Sequence, residues 1–360
     1  MRRKNPLRVQ ATTTSLIAIG VTTLAASSPA LAGDVTLYGT MHYAWEYADT
    51  HDAAGDARDD ATGTNHASLL GFEGREDLGD GYHAFFVLDS DIGANLGSNN
   101  TYVGIEGAFG SILLGQMDTP YKTSTIEWNI WGDTTGDYTA IIGADAAGNT
   151  SFDSFTPQAV GYVSPDMNGL RFAIARTALK ANNGAGNKDD RAWSTSLTYS
   201  NGPLAAAIAY ETHDGANLTA AGLGGSSNTA SEKAWRAGAQ YRLGNSLLAA
   251  VYEDIDHDNT TVRQSRAAWW LSFTQEVGNN ALNVSYAQAG DSDVAGGGDG
   301  ASQLTIGGQH FFSERTAIYA LYSTVGNDTN ASYGLQGGGF AASAAGRDVD
   351  AFSFGIVHNF

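Results

Sequence analysis

Between Val35 and Tyr47 the chain alternates with a period of two. Val35, Leu37, Gly39, Met41, Tyr43, Trp45 and Tyr47 fall on one face, and Thr36, Thr40, His42 and Glu46 fall on the other. Such alternation predicts a strand with one apolar face, and its length and aromatic end suit a strand crossing a membrane at a tilt. The last segment repeats the pattern, with Phe352, Phe354, Ile356, His358 and Phe360 set against Ala351, Ser353, Gly355, Val357 and Asn359. The same reading predicts strands near 34–47, 66–76, 81–92, 100–108, 111–119, 157–164, 169–180 and 191–201. It continues with 203–212, 232–243, 245–255, 265–276, 280–290, 301–312, 314–325 and 348–360, sixteen in all. Short connections such as Asp77–Gly81, Gly107–Gly110, Pro165–Gly169, Asn201–Pro203 and Leu243–Asn245 are built from turn residues. Long ones at 48–65, 93–99, 120–156, 213–231, 256–264 and 326–347 are rich in Gly, Asp, Asn and Ala. Tight turns at one end and long loops at the other are the asymmetry of a transmembrane antiparallel β-barrel. An even strand count puts both termini at the tight-turn end.

Composition narrows the choice further. Forty-five Gly against six Pro, with 16 Tyr, 14 Phe and 7 Trp, favours strands joined by tight turns. No apolar run approaches the ~20 residues of a membrane helix, and a closed barrel is the other structure that satisfies its backbone in lipid. The first residues are of a different kind. Arg2, Arg3, Lys4 and Arg8 precede the apolar stretch Leu16–Val21, and Ala30-Leu31-Ala32 has the form of a cleavage site. Residues 1–32 are therefore expected to be a signal peptide, with the barrel formed by 33–360. Its removal takes four bases and no acid, leaving the mature chain four units more negative than the −19 of the whole sequence. That acidity argues against nucleic-acid partners and suits cations. With no Cys, disulfides and thiolate metal sites are ruled out.

The stretch 120–156 does not fit the hairpin rhythm. It is too long for a turn and carries Trp128, Ile130, Trp131, Tyr138, Ile141, Ile142, Phe152 and Phe155. A long loop with apolar anchors of its own is usually functional, and the expectation is a loop folded into the lumen as a constriction. A surface lid is the alternative. The stretch holds Glu127, Asp133, Asp137, Asp145 and Asp153 against the single base Lys122. Strand parity adds Glu73, Arg75, Asp89 and Asp91 to the lumen side, and Arg171 lies between outward Leu170 and Phe172. Carboxylates beside a narrow passage raise the local cation concentration, so the expected preference is for cations.

Catalytic signatures are missing. Gly-x-Ser-x-Gly, His-Glu-x-x-His and a phosphate loop do not occur, and the eight His are scattered without ligand spacing. Asp254-Ile-Asp256-His-Asp258-Asn259 spaces oxygens as a calcium loop does. It lacks the central Gly and the distal Glu, and it reads as a solvated acidic loop. The expectation is no enzyme, no cofactor and no metal.

Several stretches together resemble the general trimeric porins of Gram-negative bacteria, in their diffusion-type branch. They are VTLYGTMHYAW at 35–45, SLLGFEGREDLGDGYHAFFVLD at 68–89, TYVGIEGAFGSILLGQMDTPYK at 101–122, GDTTGDYTAIIGA at 132–144, VGYVSPDMNGLRFAIA at 160–175 and FSFGIVHNF at 352–360. The resemblance spans the whole mature chain in order. It implies a sixteen-stranded outer-membrane barrel in contact with lipid and lipopolysaccharide, a homotrimer, and the third long loop inside the lumen. It also implies delivery to the barrel-assembly machinery through the last strand and Phe360, and passive diffusion of small hydrophilic solutes. The chain departs from the family at lumen positions where bases are common, with Leu69, Gln116 and Gly161 in their place. Glu73 and Glu106 stand where Lys is frequent, and Phe155 stands where an Arg often closes the loop. These departures predict a weakened basic wall. A substrate-selective channel, with Trp128, Trp131 and Tyr138 as sugar contacts, and a structural barrel with a closed lumen are the alternatives.

Overall fold

The structure is a computed structural model that describes residues 34–51, 60–144, 152–153, 155–178, 191–214, 229–259, 263–293 and 296–360. The expected signal peptide and Asp145 lie outside the described residues. The first strands are β1 (Asp34–Asp49), β2 (Asp60–Asn65), β3 (Leu69–Gly79), β4 (Tyr82–Asp91), β5 (Thr101–Gly107) and β6 (Gly110–Asp118). After the long insertion come β7 (Phe155–Val163), β8 (Leu170–Ala178), β9 (Arg191–Asn201), β10 (Leu204–Asp214), β11 (Thr229–Leu243) and β12 (Ser246–Asn259). The last are β13 (Arg263–Val277), β14 (Asn280–Ala289), β15 (Ala301–Phe311), β16 (Thr316–Asn327) and β17 (Val349–Asn359). Neighbouring strands pair antiparallel around the sheet, and β1 pairs with β17 to close it. Because β2 and β3 both pair with β1, one after the other, they are two lengths of a single strand. The result is a closed barrel of 16 strands.

The strand expected at 66–76 begins earlier, at Asp60, and is broken at His66–Ser68. Asp60–Asn65 carries polar or small residues on both faces, so it gives no apolar alternation, yet it pairs with the upper end of β1. At the break Ala67 takes a left-handed φ of 47°. The Ser68 hydroxyl there accepts from His42 N at 2.9 Å. The acidic run from Asp254 to Asn259 is likewise not a loop. It forms the end of β12, hydrogen-bonded to β11 and β13, because ladder pairing on both sides outweighs the weak strand preference of Asp and Asn.

One face of the sheet is apolar and exposed, the other small or polar and covered. In β14, Leu282, Val284 and Tyr286 are exposed, whereas Ala281, Asn283, Ser285, Ala287 and Ala289 are buried. The exposed set across the barrel forms a band of Leu37, Val103, Ile105, Leu114, Val160, Ile208, Leu271 and Ile356. Toward the long-loop ends this band is edged by Trp45, Trp193, Tyr210, Trp235 and Tyr252, and toward the tight turns by Tyr82, Phe109, Tyr241 and Phe312. An apolar belt between two aromatic girdles is what lipid requires of a barrel exterior. The seam closes at the C-terminal residue. Phe360 N donates to Gly39 O at 3.0 Å, and Gly39 N donates to Phe360 O at 3.2 Å. A Cβ at Gly39 would lie 2.6 Å from the Phe360 ring and 2.5 Å from Leu69 O, so the seam needs glycine there.

Candidate pore constriction

The chain leaves β6 through a short helix α1 (Pro120–Thr123). Proline occupies its first turn, and the Thr119 hydroxyl caps it by accepting from Lys122 N at 3.2 Å. Two 3₁₀ turns follow, Ile126–Trp128 and Tyr138–Ala140. Asp137 ties them together. One carboxylate oxygen accepts from Asn129 Nδ2 at 2.7 Å, Thr139 N at 2.8 Å and the Thr139 hydroxyl at 2.7 Å, while the other accepts from Asp133 N at 2.8 Å. Asp133 sits at a left-handed φ of 58°, a conformation this network holds.

The segment is seated on the covered face of the sheet. Trp131, about 1% exposed, donates from Nε1 to Asn283 Oδ1 at 2.7 Å and packs on Tyr319. Tyr138 meets Trp270 with ring centroids 5.2 Å apart. Ile141 and Ile142 enter a core whose wall is small, with Ala249, Ala268, Ala287, Ala289 and Ala351 leaving room for them. The Thr135 and Ser353 hydroxyls are 2.7 Å apart. Every wall residue here belongs to the buried parity of its strand. Trp131 and Tyr138 are therefore anchors, which leaves them unavailable as stacking surfaces for a sugar.

A buried charge network locks the other end. The Arg236 guanidinium on β11 donates to Asp153 at 3.0 and 3.1 Å and to Glu253 Oε2 on β12 at 2.5 and 3.0 Å. Tyr121 lies under Arg236 at 4.3 Å and donates its hydroxyl to Glu253 at 2.8 Å. Gly143 N donates to Glu253 Oε1 at 2.7 Å, and Arg266 on β13 donates to Ile141 O at 3.1 Å. Beside this network Phe152 stacks on His213 at 4.6 Å, and His213 contacts Glu211 at 2.8 Å and Glu232 at 3.4 Å. Sequence reasoning missed Arg236, Glu253 and Arg266. The signal for Arg236 was present, since outward Trp235 places its neighbour inward. Bases absent at Leu69 and Gly161 stand instead on β11 and β13, where Arg236 is taken up by Asp153 and Glu253 and Arg266 by Glu253 and Ile141 O.

The other expected site residues separate into groups. Asp153 is consumed by Arg236 and Asp137 by the loop backbone, so neither is a free selectivity charge. Lys122 pairs with Asp118 at 2.8 Å, and Asp118 is held in turn by Asn100 Nδ2 at 3.1 Å. Arg75 pairs with Glu106 at 2.5 Å, which explains an acid where Lys is frequent. Asp89 accepts from the Tyr38 hydroxyl at 2.5 Å. Arg171 lies at the tight-turn end, 3.4 Å from Asp166, apart from the loop. Glu73 and Glu127 are exposed, and Asp133 is half-buried. Gln116 falls on the outward parity and donates to Ser98 O at 3.2 Å and Asn99 O at 2.6 Å, so it fastens a loop.

Burial, and then the charge of Asp137, push the Asp133 carboxyl up to about 7. Burial pulls the Lys122 ammonium down, but the carboxylates of Asp118, Asp153 and Asp133 more than offset this and hold it above its usual range. Among the described residues no group of three or more His, Asp or Glu is arranged to hold a metal.

Residues 13–331 match the family described as Gram-negative porin. The chain is a Gram-negative porin. It is similar to outer membrane porin protein 32 of Delftia acidovorans, 27% identical with 96% of this chain and 99% of that protein covered. It is also similar to the major outer membrane protein P.IB of Neisseria lactamica, 28% identical over 84% of this chain and 90% of that one. Among solved structures, an anion-selective porin from Comamonas acidovorans superposes with a TM-score of 0.76 at 24% identity, covering 91% of this porin and all of that chain. OmpT of Vibrio cholerae superposes at 0.69 with 16% identity, covering 92% and 99%. Family and fold together place this porin in the outer membrane as a channel protein, and its relatives are channels rather than enzymes.

Proposed function

We propose that the porin is a passive diffusion pore whose aperture is set by the long segment 120–156, folded into the lumen, and that it prefers cations. One observation carries this reading. The loop is seated by Trp131, Tyr138 and Ile141 on the buried parity of β12–β17, and by Tyr121 and Asp153 on β11 and β12. We infer that the passage runs beside Lys122, Asp118, Asp133, Glu73 and Arg75. Acids outnumber bases around it. Of its bases, Lys122 is paired with Asp118 and Arg75 with Glu106. Low-dielectric walls focus the remaining negative field. The anion selectivity of the Comamonas porin is a property of that protein, and the sign here follows from this chain's own charges.

The mature chain begins after residue 32, and three barrels assemble through their apolar exteriors in contact with lipopolysaccharide. Delivery to the membrane uses the last strand and Phe360. The reversal potential of refolded protein in a planar bilayer under a KCl gradient tests the assignment. Cation preference with stepwise opening supports it, whereas anion preference refutes the charge assignment and leaves the pore intact. Absence of conductance in a folded barrel refutes the open passage altogether.

A further inference from the structure

The last long loop, 328–348, is a second structure inside the barrel mouth. Its neck is closed where Gly346 N donates to Ala331 O at 2.8 Å, and Asn327 holds Tyr333 through Tyr333 N to Oδ1 at 2.8 Å and Nδ2 to Tyr333 O at 2.9 Å. Beyond the neck the chain turns back on itself, with Leu335 N donating to Phe340 O at 2.9 Å. Tyr333 and Leu335 are buried in the same core as Tyr138, Ile141 and Ile142, and Phe340 packs against it. This hairpin therefore shares its apolar contacts with the constriction loop as well as with the wall.

Its tip is Gly337-Gly338-Gly339, and space explains two of the three glycines. A Cβ at Gly337 would meet only backbone of the constriction loop, 2.4 Å from Thr134 C and 2.6 Å from Thr134 O, at a φ of 70°. A Cβ at Gly338 would meet the hairpin's own Phe340 ring first and then Glu46 Oε2 on β1, at 2.7 Å. Glu46 is itself fully covered, holding His66 at 2.8 Å, the Thr64 hydroxyl at 2.7 Å and the Ser353 hydroxyl at 2.9 Å. The tip is thus pressed between the loop at Thr134 and the wall at Glu46. Packing this close is open only to a residue without a side chain.

We propose that residues 335–340 are a wedge that backs the direct contact of the long loop with the β1–β17 wall at Thr135 and Ser353, bearing on Thr134 and on Glu46, and so keeps this side of the lumen shut. It confines solutes to the single passage beside Lys122 and Asp118 and so sets the size cut-off. The proposal rests on the constriction-loop reading above. Without the wedge, Glu46 and the Thr134 backbone lose their cover and the loop is free to move off this wall, which opens a path for hydrated solutes on that side. Seated, it also bears on the Thr134 backbone and keeps the loop from tilting outward.

Two variants test this. Gly337→Val drives a side chain into the Thr134 backbone, and deletion of 334–344 removes the hairpin while keeping the Asn327–Tyr333 and Ala331–Gly346 bonds of its neck. Both are compared with wild type by step conductance in planar bilayers and by liposome swelling with neutral saccharides of increasing size. Heat-modifiable gel migration reports the folded barrel. The expected result is a higher step conductance in each variant and entry of a saccharide that the wild type excludes. A folded deletion variant with wild-type conductance and cut-off overturns the wedge, and it does so even if Gly337→Val fails to fold. A folded wild type without conductance counts instead against the diffusion-pore reading, so the two failures are told apart.

Discussion

Replacing Arg236 with Met removes a side chain that joins the end of the long segment 120–156 to the wall. The guanidinium is fully buried and satisfies two carboxylates at once, Asp153 on the loop and Glu253 on β12. After the change Glu253 keeps Tyr121, Gly143 N and Arg266, but Asp153 is left with no base in contact among the described residues. Breaking a buried pair by deleting one partner costs about 3–5 kcal/mol, because a charge is stranded away from water. The barrel ladder does not run through this contact, so the loss falls on the seating of the loop. At about 1.4 kcal/mol per decade it raises the released fraction by about two to three and a half decades. Single-channel recording should show frequent transitions between conductance levels in Arg236→Met, and limited proteolysis should cut within 121–153 faster. Arg236→Lys should recover little, since an ammonium cannot reproduce the forked contact. Asp153→Asn combined with Arg236→Met should lose less than the sum of the two single changes, because neither variant group then strands a charge. Strictly additive losses, or an Arg236→Met channel as quiet as wild type, would falsify the staple.

Other consequences are testable by similar means. With the Asp133 carboxyl pushed up to about 7 by burial, the cation preference proposed for the channel should weaken as pH falls from about 8 to about 6. The reversal potential of Asp133→Asn should lose that pH dependence, and an unchanged profile in the variant would place the titration elsewhere. The sign for stability is opposite to that of an ion-paired acid. With its folded pKa raised, Asp133 contributes stability at low pH that is lost as pH rises through about 7. Trp131→Ala should cost about 3–5 kcal/mol in the packing of the loop and leave Asn283 without its indole donor, read as noisier conductance in a barrel that still folds. Gly39→Val should lower the yield of folded, heat-modifiable barrel, because the new side chain meets Leu69 O and the Phe360 ring at the closing seam. A normal yield would show that the seam has slack.

The strands were legible because their information is local. Alternation with a period of two places Leu37, Ile208 and Leu282 outward without knowledge of any partner, and lipid on one side makes that pattern strong. It faded where lipid ends. Asp60–Asn65 and Asp254–Asn259 sit above the apolar band, so they carry no alternation and are held as strand only by their neighbours. Parity also placed Glu73, Arg75, Asp89 and Arg171 on the inner face, and apolar content marked Trp131, Tyr138 and Ile141 as anchors.

Which charges remain free was not local. Asp153 meets Arg236 across 83 positions and Gly143 meets Glu253 across 110, and no spacing rule connects such residues. Chain order was enough for a sixteen-stranded membrane barrel, its orientation of loops and turns, and its acidity, since each follows from composition or short-range period. It took the folded barrel to show that Asp137 and Asp153 are consumed in holding the loop and that Arg236 and Arg266 are the loop's buried counterparts on the wall. The same holds for Gly337, pressed against Thr134. The physical reason is that closing the barrel brings distant strands and loops into one covered interior, where each charge and each missing side chain takes its meaning from neighbours the chain order does not name.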